Sequence, residues 1–181
     1  MAQLVFLTGV PGSGKSTLAR LLVDDRPLAL LLDLDTLRGQ LGDWRTDPAA
    51  AGIRARQLAL AAARVQLEHG GDVVVPQFLR RPELIEQFRE LAGDVGATFL
   101  LVALVSSPHE AAERFRARGT SAEPNHSDAA QLQAAPGAAT IEELYADMLG
   151  MLVAFPETAY VQSVPGEVDV TLAAVREVLR Q

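Results

Sequence analysis

Residues 9–17 read Gly9-Val10-Pro11-Gly12-Ser13-Gly14-Lys15-Ser16-Thr17, a glycine, four intervening positions, then Gly-Lys-Ser. Glycines let the backbone turn its N–H groups inward around an anion without side-chain clash. Lys15 adds a compact charge on a flexible stem, and the Ser16 hydroxyl is a hard oxygen of the kind magnesium takes. An apolar run, Leu4–Thr8, precedes the loop, and a helical pattern from about Lys15 to Val23 follows it. The loop therefore joins a strand to a helix whose positive N-terminal end adds to the anion field. By residue frequencies, about one chain in a hundred of this length would carry the pattern by chance. The expectation is a phosphate-binding loop for a nucleoside triphosphate, ATP or GTP with magnesium, contacted through Gly12, Ser13, Gly14, Lys15, Ser16 and Thr17.

The basic residues support that reading. Of 16 Lys and Arg, Lys15 is the only lysine. Whatever bias turned the others to arginine did not act at the one place where phosphate binding asks for an ammonium.

Outward from the loop, strand-like and helical stretches alternate. Strands are expected at Leu28–Leu32, Asp72–Val75, Thr98–Val105 and Ala159–Gln162. Helices are expected at about Thr36–Leu41, Ala49–His69, Pro82–Leu91, Pro108–Arg118, Ile141–Phe155 and Val168–Leu179, with Gly93–Gly96 a plain turn. Strands separated by helices imply parallel pairing with right-handed crossovers and a sheet covered on both faces. The fold expected is an α/β three-layer sandwich of the P-loop NTPase kind. It has about five parallel strands in a single domain over residues 1–181, with a mobile lid at about 114–139.

Composition excludes several classes. The chain has 181 residues, 49% hydrophobic and 22% charged, which is enough to bury a full core. There is no cysteine, so no disulfide framework, thiolate metal site or cysteine nucleophile. Its longest apolar runs fall far short of the roughly 18 residues a membrane span needs. The N-terminal stretch lacks a basic leader, so a cytoplasmic location is expected. A net charge of −7 argues against a broad nucleic-acid groove, because such grooves neutralise phosphates with basic surface. His69, His109 and His126 show no metal-ligand spacing.

The acidic residues narrow the class of phosphate-loop protein. Motor ATPases place a carboxylate at the end of a later apolar strand, but here strand three ends Val75-Pro76-Gln77 and strand four ends Val105-Ser106-Ser107. The carboxylates follow strand two, as Leu32-Asp33-Leu34-Asp35, at the sheet edge where ligands bind in open α/β folds. A phosphotransferase needs a carboxylate there to accept the proton of an in-line hydroxyl. Asp35 is the first candidate for that base, and Asp33 the second, acting through magnesium with Ser16. The ordinary alternative for either is capping of the next helix. Arg114 and Arg118 stand four apart, hence on one helix face, beside a Gly-, Ser- and Pro-rich stretch. That placement suits a lid that closes over the triphosphate. Arg38, Gln77 and Arg81 are acceptor-side candidates beyond the strand ends. Phe78 and Trp44 are possible stacking surfaces.

Together these motifs resemble the P-loop kinases that include the phage-type polynucleotide 5′-hydroxyl kinase, zeta toxins and chloramphenicol phosphotransferase. The phage-type kinase is closest in three places. The phosphate loop matches, Asp35-Thr36-Leu37-Arg38 resembles its D-x-x-R, and Arg114-Phe115-Arg116-Ala117-Arg118-Gly119-Thr120-Ser121-Ala122-Glu123-Pro124 resembles its lid. The resemblance implies Asp35 as general base, Arg38 as the contact to the acceptor-side phosphate, and Arg114 and Arg118 on the donor phosphates. The chain departs from that family after strand three, where Pro76-Gln77-Phe78 stands in place of an Asp-Thr-Asn-like segment. The function expected is transfer of the γ-phosphate to a hydroxyl, either on a nucleic-acid 5′ end or on a small molecule such as an antibiotic, sugar or nucleoside. The alternative of another class is a nucleotide switch or hydrolase with no acceptor.

Overall fold

The computed structural model describes residues 1–107, 109–113 and 139–180. Five strands form one parallel sheet: β1 (Gln3–Thr8), β2 (Leu30–Leu31), β3 (Val73–Pro76), β4 (Thr98–Val105) and β5 (Ala159–Gln162). Their order across the sheet is β2-β3-β1-β4-β5, so β1 lies at the centre with β3 and β4 on either side. The helices are α1 (Lys15–Asp24), α2 (Leu34–Gly39), α3 (Pro48–Glu68), α4 (Glu83–Asp94), α5 (Ile141–Leu152) and α6 (Val168–Val178). Residues 109–113 are also helical.

Alternation along the strands splits the core in two, because successive strand residues face opposite sides. Leu4 and Phe6 of β1, Val73 and Val75 of β3, and Leu101 and Ala103 of β4 pack on one side against α3, α4 and α5. Val5, Leu7, Val74, Val102 and Leu104 pack on the other against α1 and α6. This is the α/β P-loop NTPase fold expected, a parallel sheet between two helical layers. No helix among the described residues is long and apolar enough to cross a membrane.

Long helix α3 buries Ala51, Ala55, Ala59, Ala63 and Leu67 along one stripe at a spacing of four. Small side chains there let its axis come close to the sheet, and Asp47 caps its start by accepting from the Ala50 N–H at 3.0 Å.

Local boundaries differ from expectation at several points, α5 among them, which ends at Leu152 and not at Phe155. Strand β2 is two residues long, not five, because Leu28 takes a positive φ of 59° and turns outward, its carbonyl accepting from the Gln66 side chain at 2.6 Å. Helix α2 starts two residues early, at Leu34, because Asp33 caps it. Gly93 lies inside α4, and the turn is made by Gly96 at φ 68°. Of the expected lid only Ala139 is described, packed against the core; Arg114 and Arg118 lie outside the described residues.

Candidate nucleotide and acceptor site

In a parallel sheet every strand delivers its C-terminal end to the same edge. The loop after β1, the Asp33–Arg38 segment after β2 and the Gln77–Arg81 segment after β3 are therefore gathered at one edge by topology alone. A hydrogen bond from the Gln77 N–H to the Leu7 carbonyl, at 3.0 Å, ties the third segment to the end of β1.

The phosphate loop is held by its own backbone. Gly12 and Gly14 adopt φ of 91° and 87°, the left-handed region that glycine enters without steric cost. Gly14 is the N-cap of α1, and the Ser13 N–H closes a turn onto the Val10 carbonyl at 3.0 Å. Gly9 is required by space: a Cβ there would stand 2.5 Å from Ser13 Oγ, 3.0 Å from Ser13 Cβ and 3.3 Å from Leu104 Cβ. Lys15 Nζ lies 3.5 Å from the Val10 carbonyl, folded across the loop. Ser16 is half-buried and Thr17 exposed at the start of α1.

One partner of this loop escaped sequence reasoning. Ser163, just after β5, is buried and donates to the Ser13 carbonyl at 2.9 Å. Between that segment and the loop lies a cavity of about 240 Å³, lined by Gly12, Ser13, Thr17, Ser163, Pro165 and Thr171 among others. The signal available was the Val164-Pro165-Gly166 turn after the fifth strand, which had to emerge at this edge.

The two aspartates after β2 have different surroundings. Asp33 Oδ1 accepts from the N–H groups of Asp35 and Thr36, both at 3.0 Å, so it is the N-cap of α2. Asp35, in the first turn, is half exposed and pairs through Oδ1 with Arg38 at 3.2 Å. Arg38 lies 4.7 Å from the Trp44 ring centroid, and Arg45 lies 4.4 Å from the same ring. A guanidinium on an aromatic face is held by the ring's negative quadrupole, so Trp44 fixes the residue that orients Asp35.

Beyond β3, Gln77 and Arg81 line a cavity of about 660 Å³ bounded by α3 and α4. Phe78 and Leu79 are half-buried in its wall. Sequence reasoning named residues of its β3–α4 side but not its α3 wall, which includes Ile53 and Arg56. After β4, Ser107 and Glu110 form a capping box: the Ser107 N–H donates to Glu110 Oε2 at 2.9 Å and Ser107 Oγ accepts from the Glu110 N–H at 3.2 Å.

The donor set fits a nucleotide with magnesium. The loop holds Gly12 and Gly14 at positive φ and has no room for a side chain at Gly9, Ser13 Oγ is buried without a hydrogen-bond partner, and Ser16 and Asp33 supply hard oxygens. No cluster of three or more His, Cys, Asp or Glu suited to a metal occurs among the described residues.

Fold and loop thus define an α/β protein of the P-loop NTPase type. The chain belongs to the AAA_33 family, an AAA domain, whose model matches residues 4–141. It is similar in fold to a candidate kinase from Chloroflexus aurantiacus, at TM-score 0.70 and 19% identity, covering 97% of both chains. A gluconokinase from Sinorhizobium meliloti matches at TM-score 0.56 and 20% identity, over 99% of this chain and 95% of that one. A chain of the Pnkp1/Rnl/Hen1 RNA repair complex matches at 0.66 and 19% identity, over 86% of this chain and 47% of that one. No curated protein sequence matches the chain significantly.

Proposed function

We propose that this protein is a magnesium- and nucleoside-triphosphate-dependent phosphotransferase that moves the γ-phosphate of ATP or GTP to an acceptor hydroxyl. The carrying observation is that the phosphate loop, the Asp35–Arg38 pair and the 660 Å³ cavity all belong to one edge of the sheet. A second cavity and a carboxylate–arginine pair at that edge favour an acceptor-using enzyme over a switch or hydrolase.

In this reading Lys15 and the N–H groups of Gly12–Thr17 bind the β- and γ-phosphates. The cavity beside Ser163 receives the nucleoside end. Ser16 and the Asp33 carboxylate would hold magnesium, which neutralises charge on the phosphate oxygens when bound. Asp35 accepts the proton of the attacking hydroxyl, oriented by Arg38. Arg38, Gln77 and Arg81 bind the acceptor. Arg114 and Arg118 act from the lid on the donor phosphates, as the resemblance to polynucleotide 5′-kinases implies.

That resemblance favours a nucleic-acid 5′ end as acceptor. A small-molecule acceptor is the second reading, favoured by the net charge of −7 and by a cavity sized for one small molecule. The neighbours in fold include a gluconokinase and a chain of an RNA repair complex, so fold alone does not choose between the two. Asp35→Asn tests the mechanism. Nucleotide affinity is expected to stay within about three-fold of wild type, while transfer falls by about two orders of magnitude or more. Transfer at the wild-type rate would remove Asp35 from the chemistry.

A further inference from the structure

The wall of the larger cavity carries a charge opposite to that of the whole chain. Three arginines, Arg56 from α3 and Arg80 and Arg81 from the segment before α4, line it against one carboxylate, Glu83. The chain overall is −7. Arg80 is committed to structure: its Nε and Nη2 donate to Asp147 Oδ2 on α5 at 2.9 and 2.7 Å. Arg56 and Arg81 form no ion pair or hydrogen bond among the described residues, although Glu83 lines the same cavity. Apolar surface lies beside them, with Ile53 58% exposed and Phe78 half-buried.

Two uncommitted guanidinium groups on a concave, partly apolar wall have a specific chemical preference. Each presents a planar fork of donors that matches a carboxylate or a phosphate, and a charge-assisted pair of this kind is about twice as strong as a neutral hydrogen bond. A neutral polyol would leave both charges unanswered while covering them.

We propose that this cavity takes an acceptor bearing an anionic group, a phosphate or a carboxylate, which Arg56 and Arg81 bind while its uncharged body lies against Ile53 and Phe78. The proposal rests on the phosphotransferase reading only for the word acceptor; the anion site itself does not depend on it. It assigns Arg56, on α3, to recognition of the acceptor.

The test first saturates the phosphate loop with a non-hydrolysable ATP analogue and magnesium, so that the loop's own affinity for anions is blocked. Inorganic phosphate, benzoate and uncharged benzyl alcohol are then titrated, with the thermal unfolding midpoint as readout. Phosphate or benzoate is expected to raise the midpoint and benzyl alcohol to leave it unchanged. Which anion acts at the lower concentration tells a phosphorylated acceptor from a carboxylic acid. The double variant Arg56→Gln, Arg81→Gln, both at exposed positions, is expected to need at least about ten-fold more anion for the same shift. No response to either anion, or an undiminished response in the variant, overturns the proposal. The phosphotransferase reading is judged separately by label transfer. Transfer to neutral alcohols at a KM the double variant leaves unchanged would keep the transfer chemistry and discard both the anion site and Arg81 as an acceptor contact, whereas an intact anion response without transfer to any hydroxyl would do the reverse.

Discussion

Gly9 and Gly14 are both glycines of the phosphate loop, yet they are needed for different reasons. Gly14 holds a backbone angle, whereas Gly9 holds space against Ser13 and Leu104. Gly9→Ala forces the loop to shift by several tenths of an ångström, an overpacking cost of about 1–3 kcal/mol. The expected result is a lowered urea midpoint together with a nucleotide affinity reduced by about ten-fold or more, both read on purified variant. Unchanged nucleotide affinity would mean that the loop's shape is not set at this position. Much of this scale was legible in the sequence, because phosphate binding dictates residue type and spacing locally: Lys15 and the glycines need no tertiary information to be recognised. The division of labour between Asp33 and Asp35 was not legible. Which of two aspartates caps a helix depends on where the helix begins, and that is set by packing of Leu34 into the core as well as by sequence. The contact of Arg38 and Arg45 with the Trp44 ring was equally out of reach, since it goes with a turn at Asp43, whose φ is 47° and whose carbonyl accepts from the Thr46 N–H at 3.0 Å.

Elements with strong local signals were read within a few residues. Strands β4 and β5 have the bounds their apolar runs suggested, and α5 begins after Thr140, where a capping box joins Thr140 Oγ1 to the Glu143 N–H at 3.1 Å and the Thr140 N–H to Glu143 Oε2 at 2.7 Å. Thr140→Ala removes half of that box. A loss of about 1 kcal/mol is expected in chemical denaturation. Nucleotide affinity should be unaffected, because the side-chain bonds of Thr140 are made within the box and not to the phosphate loop. A loss below about 0.3 kcal/mol would show that packing of Ile141 and Leu144 alone fixes the helix start. Strand β2 shows the opposite case. Leu28-Ala29-Leu30-Leu31-Leu32 has the composition of a strand, but an edge strand pairs on one side only, so a single outward turn at Leu28 ends it. No local pattern distinguishes that leucine from its neighbours.

The whole molecule is two apolar layers pressed on one sheet, and its stability rests on residues that bridge them to the strands. Phe88 of α4 is fully buried and meets Phe6 of β1 with ring centroids 5.7 Å apart. Phe88→Ala should cost about 3–5 kcal/mol, a large share of the roughly 5–15 kcal/mol that holds a domain of this kind together. A shift in the urea midpoint worth less than about 1 kcal/mol would mean the layer repacks freely. Parallel pairing and two covered faces followed from the alternation of strands and helices, whereas the order β2-β3-β1-β4-β5 did not, since it depends on contacts far apart in sequence. That order matters to function because it puts β1 and its loop between the segments after β3 and β4. The most direct measurement is the fate of label from γ-labelled ATP or GTP, with magnesium, in the presence of 5′-hydroxyl oligonucleotides, nucleosides, sugars, sugar acids and phosphorylated alcohols. A phosphotransferase places the label in a phosphoester on at least one of these, in excess over free phosphate and dependent on Asp35. Label recovered only as inorganic phosphate, at a rate that no hydroxyl compound changes and that Asp35→Asn leaves intact, would contradict the account.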